Sequence, residues 1–166
     1  MIGSGDKIPS VAIKYIDTSG SHDAMADDVL GRGRVVSFGV PGAFTPTCDT
    51  NHLPGFISTA AKIKSYGVDR IVCGAVNDHH VVKAWAERSE ALGKIDFIAD
   101  AHAALADALG LTKQFGDLGK RFVRFAMIIE DGVVERVYVQ DVSGVTVSGA
   151  PAILLALDAL GSKVTA

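Results

Sequence analysis

The chain has little cysteine, only Cys48 and Cys73 among its 166 residues. Two cysteines are too few for a disulfide framework, so an unusually placed thiol in a reducing compartment is expected to be reactive or metal-bound. A long basic run is also lacking, and the formal net charge is -3. The chain therefore lacks the basic segment that would bind nucleic acid or an anionic membrane surface, and neither is an expected partner.

Long hydrophobic runs are missing as well. The longest apolar stretches, residues 125–129 and 150–157, are far shorter than the roughly 20 residues that cross a bilayer, so we expect a soluble protein with no membrane partner. The start, MIGSGDKIPS, shows no basic segment followed by an apolar one, which predicts a cytosolic location. With 48% hydrophobic and 21% charged residues, the composition fits one compact domain over residues 1–166.

Alternating strands and helices fill most of the chain. Apolar, β-branched runs predict strands at 34–40, 70–76 and 95–99, and helices are predicted at 46–66, from Asn77-Asp78 to Gly93, and at 103–109. Two further strands, 121–129 and 133–140, flank a Glu-Asp-Gly turn, and a last helix covers 150–160. This order predicts an α/β, thioredoxin-like fold: a mixed central sheet with helices on both faces.

Cys48 lies in the stretch VPGAFTPTCDTNHLPGF, residues 40–56, where a loop becomes a helix. Thr45 followed by Pro46 is typical of an N-cap residue and a first helical position, which places Cys48 in the first turn. There, unpaired backbone N–H groups and the helix dipole favour an anion, so the thiolate form is favoured. The sequence predicts a nucleophile or an anion site, against the alternative that Cys48 only fills the turn.

Arg124 is the candidate cation for this thiolate. Period-2 alternation over 121–129 places Phe122, Arg124, Ala126 and Ile128 on one face of a strand, so the arginine interrupts an apolar face. A buried guanidinium is costly unless it is paired, which predicts an anionic partner. The alternative is an arginine near a strand end that extends to solvent.

Four segments, PGAFTPTC, HLPGF, VCGAVND and RFAMIIEDG, together resemble the peroxiredoxins, specifically the type II or peroxiredoxin-5-like group. The resemblance implies that Cys48 is the peroxidatic cysteine and that the Thr45 hydroxyl hydrogen-bonds sulfur and peroxide. It also implies that Pro41 shields the pocket and that Arg124 holds thiolate and substrate. The implied protein is a homodimeric peroxidase acting on hydrogen peroxide and alkyl hydroperoxides without a cofactor.

The implied reductant depends on the second thiol. Atypical two-cysteine members carry a resolving cysteine in a late loop, and the matching stretch 145–149 has none. A buried core thiol is the expectation for Cys73, although plant-like members with a second cysteine at this spacing leave a resolving role open. The resemblance thus favours a one-cysteine cycle with glutathione and glutaredoxin, with thioredoxin as the other reductant. A peroxide-sensing switch and a disulfide oxidoreductase, which lacks its C-x-x-C pair here, are the alternative functions.

Other polar residues suggest weaker hypotheses. His52 shares a helix face with Cys48, and His79-His80 lie near a helix start, which suggests zinc. No CxxC or HExxH spacing accompanies them, so we expect no metal. Asp49 suits the helix dipole but opposes thiolate formation beside it, and the sequence leaves the balance open.

Overall fold

A seven-stranded mixed sheet is the centre of the computed structural model, which describes residues 1–140 and 144–161. The strand order is β2-β1-β5-β4-β3-β8-β9, with β4 parallel to β3 and β5 and the other pairs antiparallel. These strands are β1 (Ala12–Asp17), β2 (Gly20–Met25), β3 (Arg34–Val40), β4 (Arg70–Ala75), β5 (Asp96–Ala99), β8 (Phe125–Glu130) and β9 (Val133–Val139). A separate hairpin pairs β6 (Thr112–Gln114) with β7 (Lys120–Phe122).

Helices cover both faces of the sheet, as predicted. The helices are α1 (Ala26–Leu30), α2 (Leu53–Lys64), α3 (His79–Arg88), α4 (Ala104–Leu109) and α5 (Ala150–Leu160). One apolar cluster joins α2, α3 and α5 to one face, and a second joins α1 and α4 to the other. Along β3, alternate side chains enter the two clusters, Phe38 one and Val35 the other, because successive residues of a strand point to opposite faces.

The central strand β3 is buried along its whole length, which is typical of a strand covered on both faces. Its Gly39 lies against the ring of Phe125, and an ideal Cβ at this position would be 2.1 Å from the ring. Glycine is therefore required here by close packing. No helix among residues 1–140 and 144–161 is long and apolar enough to span a membrane.

Three predictions of local structure differ from the structure. The predicted strand 121–129 is in fact two strands, β7 and β8, which belong to different sheets. Phe122 and Ala126 therefore pack in the two apolar clusters on opposite sides of the main sheet, and the prediction that they share one face is wrong. The helix predicted to reach Gly93 ends at Arg88, because Glu90 adopts a left-handed φ of 56°. The β1–β2 hairpin was not predicted, since the edge strand β2 is polar and largely exposed.

Candidate active site

The loop after β3 delivers Cys48 into a π-helical turn. Pro46 and Thr47 are helical, Cys48–His52 forms the π turn, and α2 continues from Leu53. The Leu53 N–H donates to the Cys48 carbonyl five residues earlier, the bond that defines this geometry. The predicted helix start at Pro46 is confirmed, and Cys48 occupies its first turn.

Cys48 and Arg124 lie in direct contact. Nη2 of Arg124 donates a hydrogen bond to Cys48 Sγ at 3.2 Å. Arg124 is half-buried between β7 and β8, and its carbonyl accepts from the Gln140 N–H at 2.8 Å, which fixes the backbone here. Cys48 itself is fully buried, with 0% exposure. The guanidinium is thus oriented toward the sulfur rather than toward solvent, and a cation contacts the buried sulfur atom directly.

Pro41 and Thr45 form the loop beside this pair. The Thr45 hydroxyl donates to the Gly42 carbonyl at 2.7 Å, so its oxygen can only accept further hydrogen bonds. The Pro41 carbonyl accepts from Arg121 Nη1 at 3.4 Å. The Ala43 N–H donates to Asn77 Oδ1 at 2.9 Å. These contacts hold the loop at both its ends. The family resemblance implied a bond from the Thr45 hydroxyl to the sulfur, whereas the structure shows this hydroxyl bonded to the loop.

His52 is the site residue that the sequence analysis did not assign to the peroxide chemistry. Its Nδ1 lies 2.9 Å from Arg124 Nη1, and its Nε2 lies 2.8 Å from the Ser148 carbonyl oxygen. Burial, and secondarily the charge of Arg124, lower the pKa of His52 to about 3 against the backbone bond to Ser148. The imidazole is therefore neutral at physiological pH.

The second cysteine, Cys73, lies in the middle of β4, with Phe38 and Phe97 as its neighbours on the flanking strands. It is fully buried, and both cysteines are free thiols. Burial, together with the nearby Cys48, raises the pKa of Cys73 well above its usual value. Cys73 is thus a neutral core thiol in this structure, as expected from its strand position.

Asp49, the acidic residue next to Cys48, is hydrogen-bonded to α3. Its Oδ1 accepts from the indole N–H of Trp85 in α3 at 2.9 Å. The rings of His79 and His80 contact each other at a tilt of 37°, with centroids 4.1 Å apart. No group of three or more His, Cys, Asp or Glu side chains within the described residues is arranged to hold a metal ion.

Comparisons with known proteins agree with this fold. The sequence model of the redoxin family matches residues 3–154. Peroxiredoxin-2B of Arabidopsis thaliana is 40% identical over 159 residues, covering 94% of this chain and 98% of the relative. The reduced Prx3 of Vibrio vulnificus, in complex with H2O2, is 40% identical with a TM-score of 0.89, covering 95% of this chain and 99% of that one. Peroxiredoxin 5 of Alvinella pompejana is 31% identical with a TM-score of 0.83, covering 96% and 99%.

Proposed function

Because the chain belongs to the redoxin family, as a peroxiredoxin of the type II or peroxiredoxin-5-like group with a thioredoxin-like fold, we propose that it reduces hydrogen peroxide and small alkyl hydroperoxides through Cys48. The observation that carries this proposal is the 3.2 Å hydrogen bond from Arg124 Nη2 to Cys48 Sγ. A cation in contact with a buried sulfur both favours the thiolate and offers a donor to an incoming oxygen.

In the proposed reaction, the Cys48 thiolate attacks one peroxide oxygen and the O–O bond breaks. Sulfur gains that oxygen as sulfenic acid, and the second oxygen leaves as hydroxide or alkoxide and takes a proton. Arg124 donates to the oxygens as negative charge moves from sulfur to the leaving group. The Thr45 oxygen, whose proton is used by Gly42, accepts from the hydroperoxide O–H and so orients it. The full burial of Cys48 favours small peroxides.

Recycling is proposed to use one cysteine of the chain. Cys73 lies in the centre of β4, and its burial keeps it protonated. An external thiol, which we propose to be glutathione assisted by glutaredoxin, then attacks the Cys48 sulfenic acid and releases water. A second thiol breaks the mixed disulfide and restores Cys48. We propose the cytosol as the location, where this thiol pool is available.

We also propose a homodimer formed by the surface around the site. Phe44, Leu118 and Val147 are exposed apolar side chains, at 38%, 42% and 42% exposure. Leu118 neighbours the site because its carbonyl accepts from Arg121, which bonds the Pro41 loop. Val147 adjoins Ser148, the partner of His52. Light scattering should give twice the chain mass, and a monomer at micromolar concentration would contradict the dimer.

Stopped-flow oxidation of the reduced protein by hydrogen peroxide tests the catalytic assignment. Wild type and Cys73→Ala should react rapidly and gain one oxygen by intact mass, whereas Cys48→Ser should not react. If wild type reacts no faster than a free thiol, the peroxidase proposal fails, and a switch operated by slow oxidation of Cys48 becomes the better account.

Steady-state turnover tests the reductant. Glutathione with glutaredoxin should sustain peroxide reduction in wild type and equally in Cys73→Ala. Turnover with thioredoxin alone that is lost in Cys73→Ala would show that Cys73 is a resolving thiol, and the one-cysteine proposal would be wrong.

A further inference from the structure

His52 connects the Cys48–Arg124 pair to the loop before α5. One imidazole nitrogen contacts Arg124 and the other contacts the Ser148 carbonyl, at 2.9 and 2.8 Å. We propose that His52 is a positioning residue for the peroxidase reaction, holding the Arg124 guanidinium against Cys48 by accepting a hydrogen bond from it. The proposal deepens the proposed function and rests on it.

The two partners determine the tautomer of His52. A carbonyl oxygen can only accept, so Nε2 carries the hydrogen that is donated to Ser148. A guanidinium can only donate, so Nδ1 must present its lone pair to Nη1 of Arg124. Only the neutral Nε2–H form satisfies both contacts. A protonated imidazole would place a second cation against Arg124 and lose this acceptor.

The surroundings keep His52 neutral. The rings of Phe38 and Phe56 stack on each other at 4.0 Å, and both lie beside the imidazole, with centroid distances to it of 4.9 and 5.6 Å. Its exposure is 1%, and burial depresses its pKa to about 3. The charged group in contact with it is Arg124, which also disfavours a positive imidazole. The acceptor at Nδ1 is therefore present throughout the pH range in which a thiolate works.

Because the guanidinium is planar, its contact with His52 also orients the nitrogen that faces the Cys48 sulfur. Nη1 is held by His52 and Nη2 by Cys48, so fixing one nitrogen limits where the other can point. The far side of His52 is fixed too, because Gln140 binds the loop: its Oε1 accepts from the Ser148 hydroxyl at 3.0 Å and from the Thr146 N–H at 2.9 Å. A donor that is already in position does not have to reorient when negative charge develops on the peroxide.

Two substitutions separate the contacts of His52. Asparagine places its Oδ1 at the position of Nδ1, so His52→Asn keeps the acceptor for Arg124 and loses the bond to Ser148. Glutamine places its amide nitrogen at the position of Nε2, so His52→Gln keeps the bond to Ser148 and loses the acceptor. His102, which is exposed, provides the matched control His102→Gln.

The measurements are the rate of Cys48 oxidation by hydrogen peroxide across pH and the rate of Cys48 alkylation by iodoacetamide. Both rates should fall about tenfold or more in His52→Gln and need a higher pH to recover, because a hydrogen bond to a charged group is lost. His52→Asn should stay within about threefold of wild type, since the acceptor is kept. His102→Gln should match wild type.

If both rates fall equally in His52→Asn and His52→Gln, and in proportion to the loss of thermal stability of each variant, the proposal is overturned in favour of a packing role. A wild-type rate in His52→Gln would overturn it as well. A cycle with Arg124→Lys provides a second test: His52→Gln should have little further effect in that background, and an undiminished effect would also overturn the proposal. Should His52→Gln not fold, a large rate loss in a folded His52→Asn overturns it.

The two readouts keep this proposal distinct from the proposed function. If wild type reacts with peroxide no faster than a free thiol, the peroxidase function fails. Alkylation still compares the variants, because it needs only the thiolate that Arg124 stabilises. A difference between His52→Gln and His52→Asn in alkylation alone would support the positioning role without peroxidase activity.

Discussion

The Asp49→Ala variant should unfold more easily, because it removes the acceptor of a buried indole. Trp85 is fully buried and donates from Nε1 to Asp49 Oδ1 at 2.9 Å, joining the π turn to α3. A buried donor left unpaired after loss of a charged partner costs about 1–3 kcal/mol. We expect a loss of about 2 kcal/mol in the free energy of unfolding, or about 4–8 °C in Tm for a chain of this size.

Urea unfolding followed by tryptophan fluorescence measures this loss at the site itself, since Trp85 is the one tryptophan of the chain. Asp49→Asn keeps Oδ1 as an acceptor and should lose less than about 1 kcal/mol. Asp117→Ala, at an exposed aspartate, should stay within about 0.5 kcal/mol of wild type. Equal midpoints for Asp49→Ala and Asp117→Ala would refute the reasoning. An Asp49→Asn variant as unstable as Asp49→Ala would show that charge, not the acceptor, matters.

Three further changes test the fold and the buried histidine. Gly39→Ala should lower the free energy of unfolding by about 1–3 kcal/mol by overpacking, because its Cβ would lie 2.1 Å from the Phe125 ring. Gly74→Ala, with 3.3 Å to its nearest ring atom, should cost less, and equal costs in urea unfolding would contradict this. Glu90→Gly should add about 0.5 kcal/mol by relieving a positive φ, and a lower unfolding midpoint would be the contrary result. The depressed pKa of His52, about 3 against 6.5 in the unfolded chain, means that the unfolded chain alone binds a proton between these values. Wild type should therefore lose about 1 kcal/mol per pH unit below pH 6.5 relative to His52→Asn, and parallel stability curves would argue against a neutral buried imidazole.

The predictable parts of the fold are those whose signals are local. Residues 34–40 and 150–160 were predicted with the bounds that β3 and α5 have, because a continuous apolar run and a Pro-to-Gly bounded helix are visible in the sequence itself. The break between β7 and β8 was missed, since the run RFVRFAMII is uninterrupted in sequence. The chain changes sheets there because β8 pairs with β3 while β7 pairs with β6. Such pairing is decided by distant strands.

The site shows the same division between local and distant signals. The spacing of Cys48 and His52 predicts a shared helix face and suggests zinc. The structure places a guanidinium against both, with Nη2 of Arg124 on the sulfur and Nη1 on the imidazole. Arg124 lies 72 and 76 positions from these residues, so strand alternation and the family resemblance predicted its pairing with Cys48, whereas its contact with His52 was not predicted. A guanidinium donates hydrogen bonds and never accepts them, so His52 can pair with Arg124 only as a neutral imidazole whose Nδ1 lone pair is free to accept. Burial of His52 against the stacked rings of Phe38 and Phe56 supplies that form, and the packing of the core thereby determines the protonation state of this imidazole.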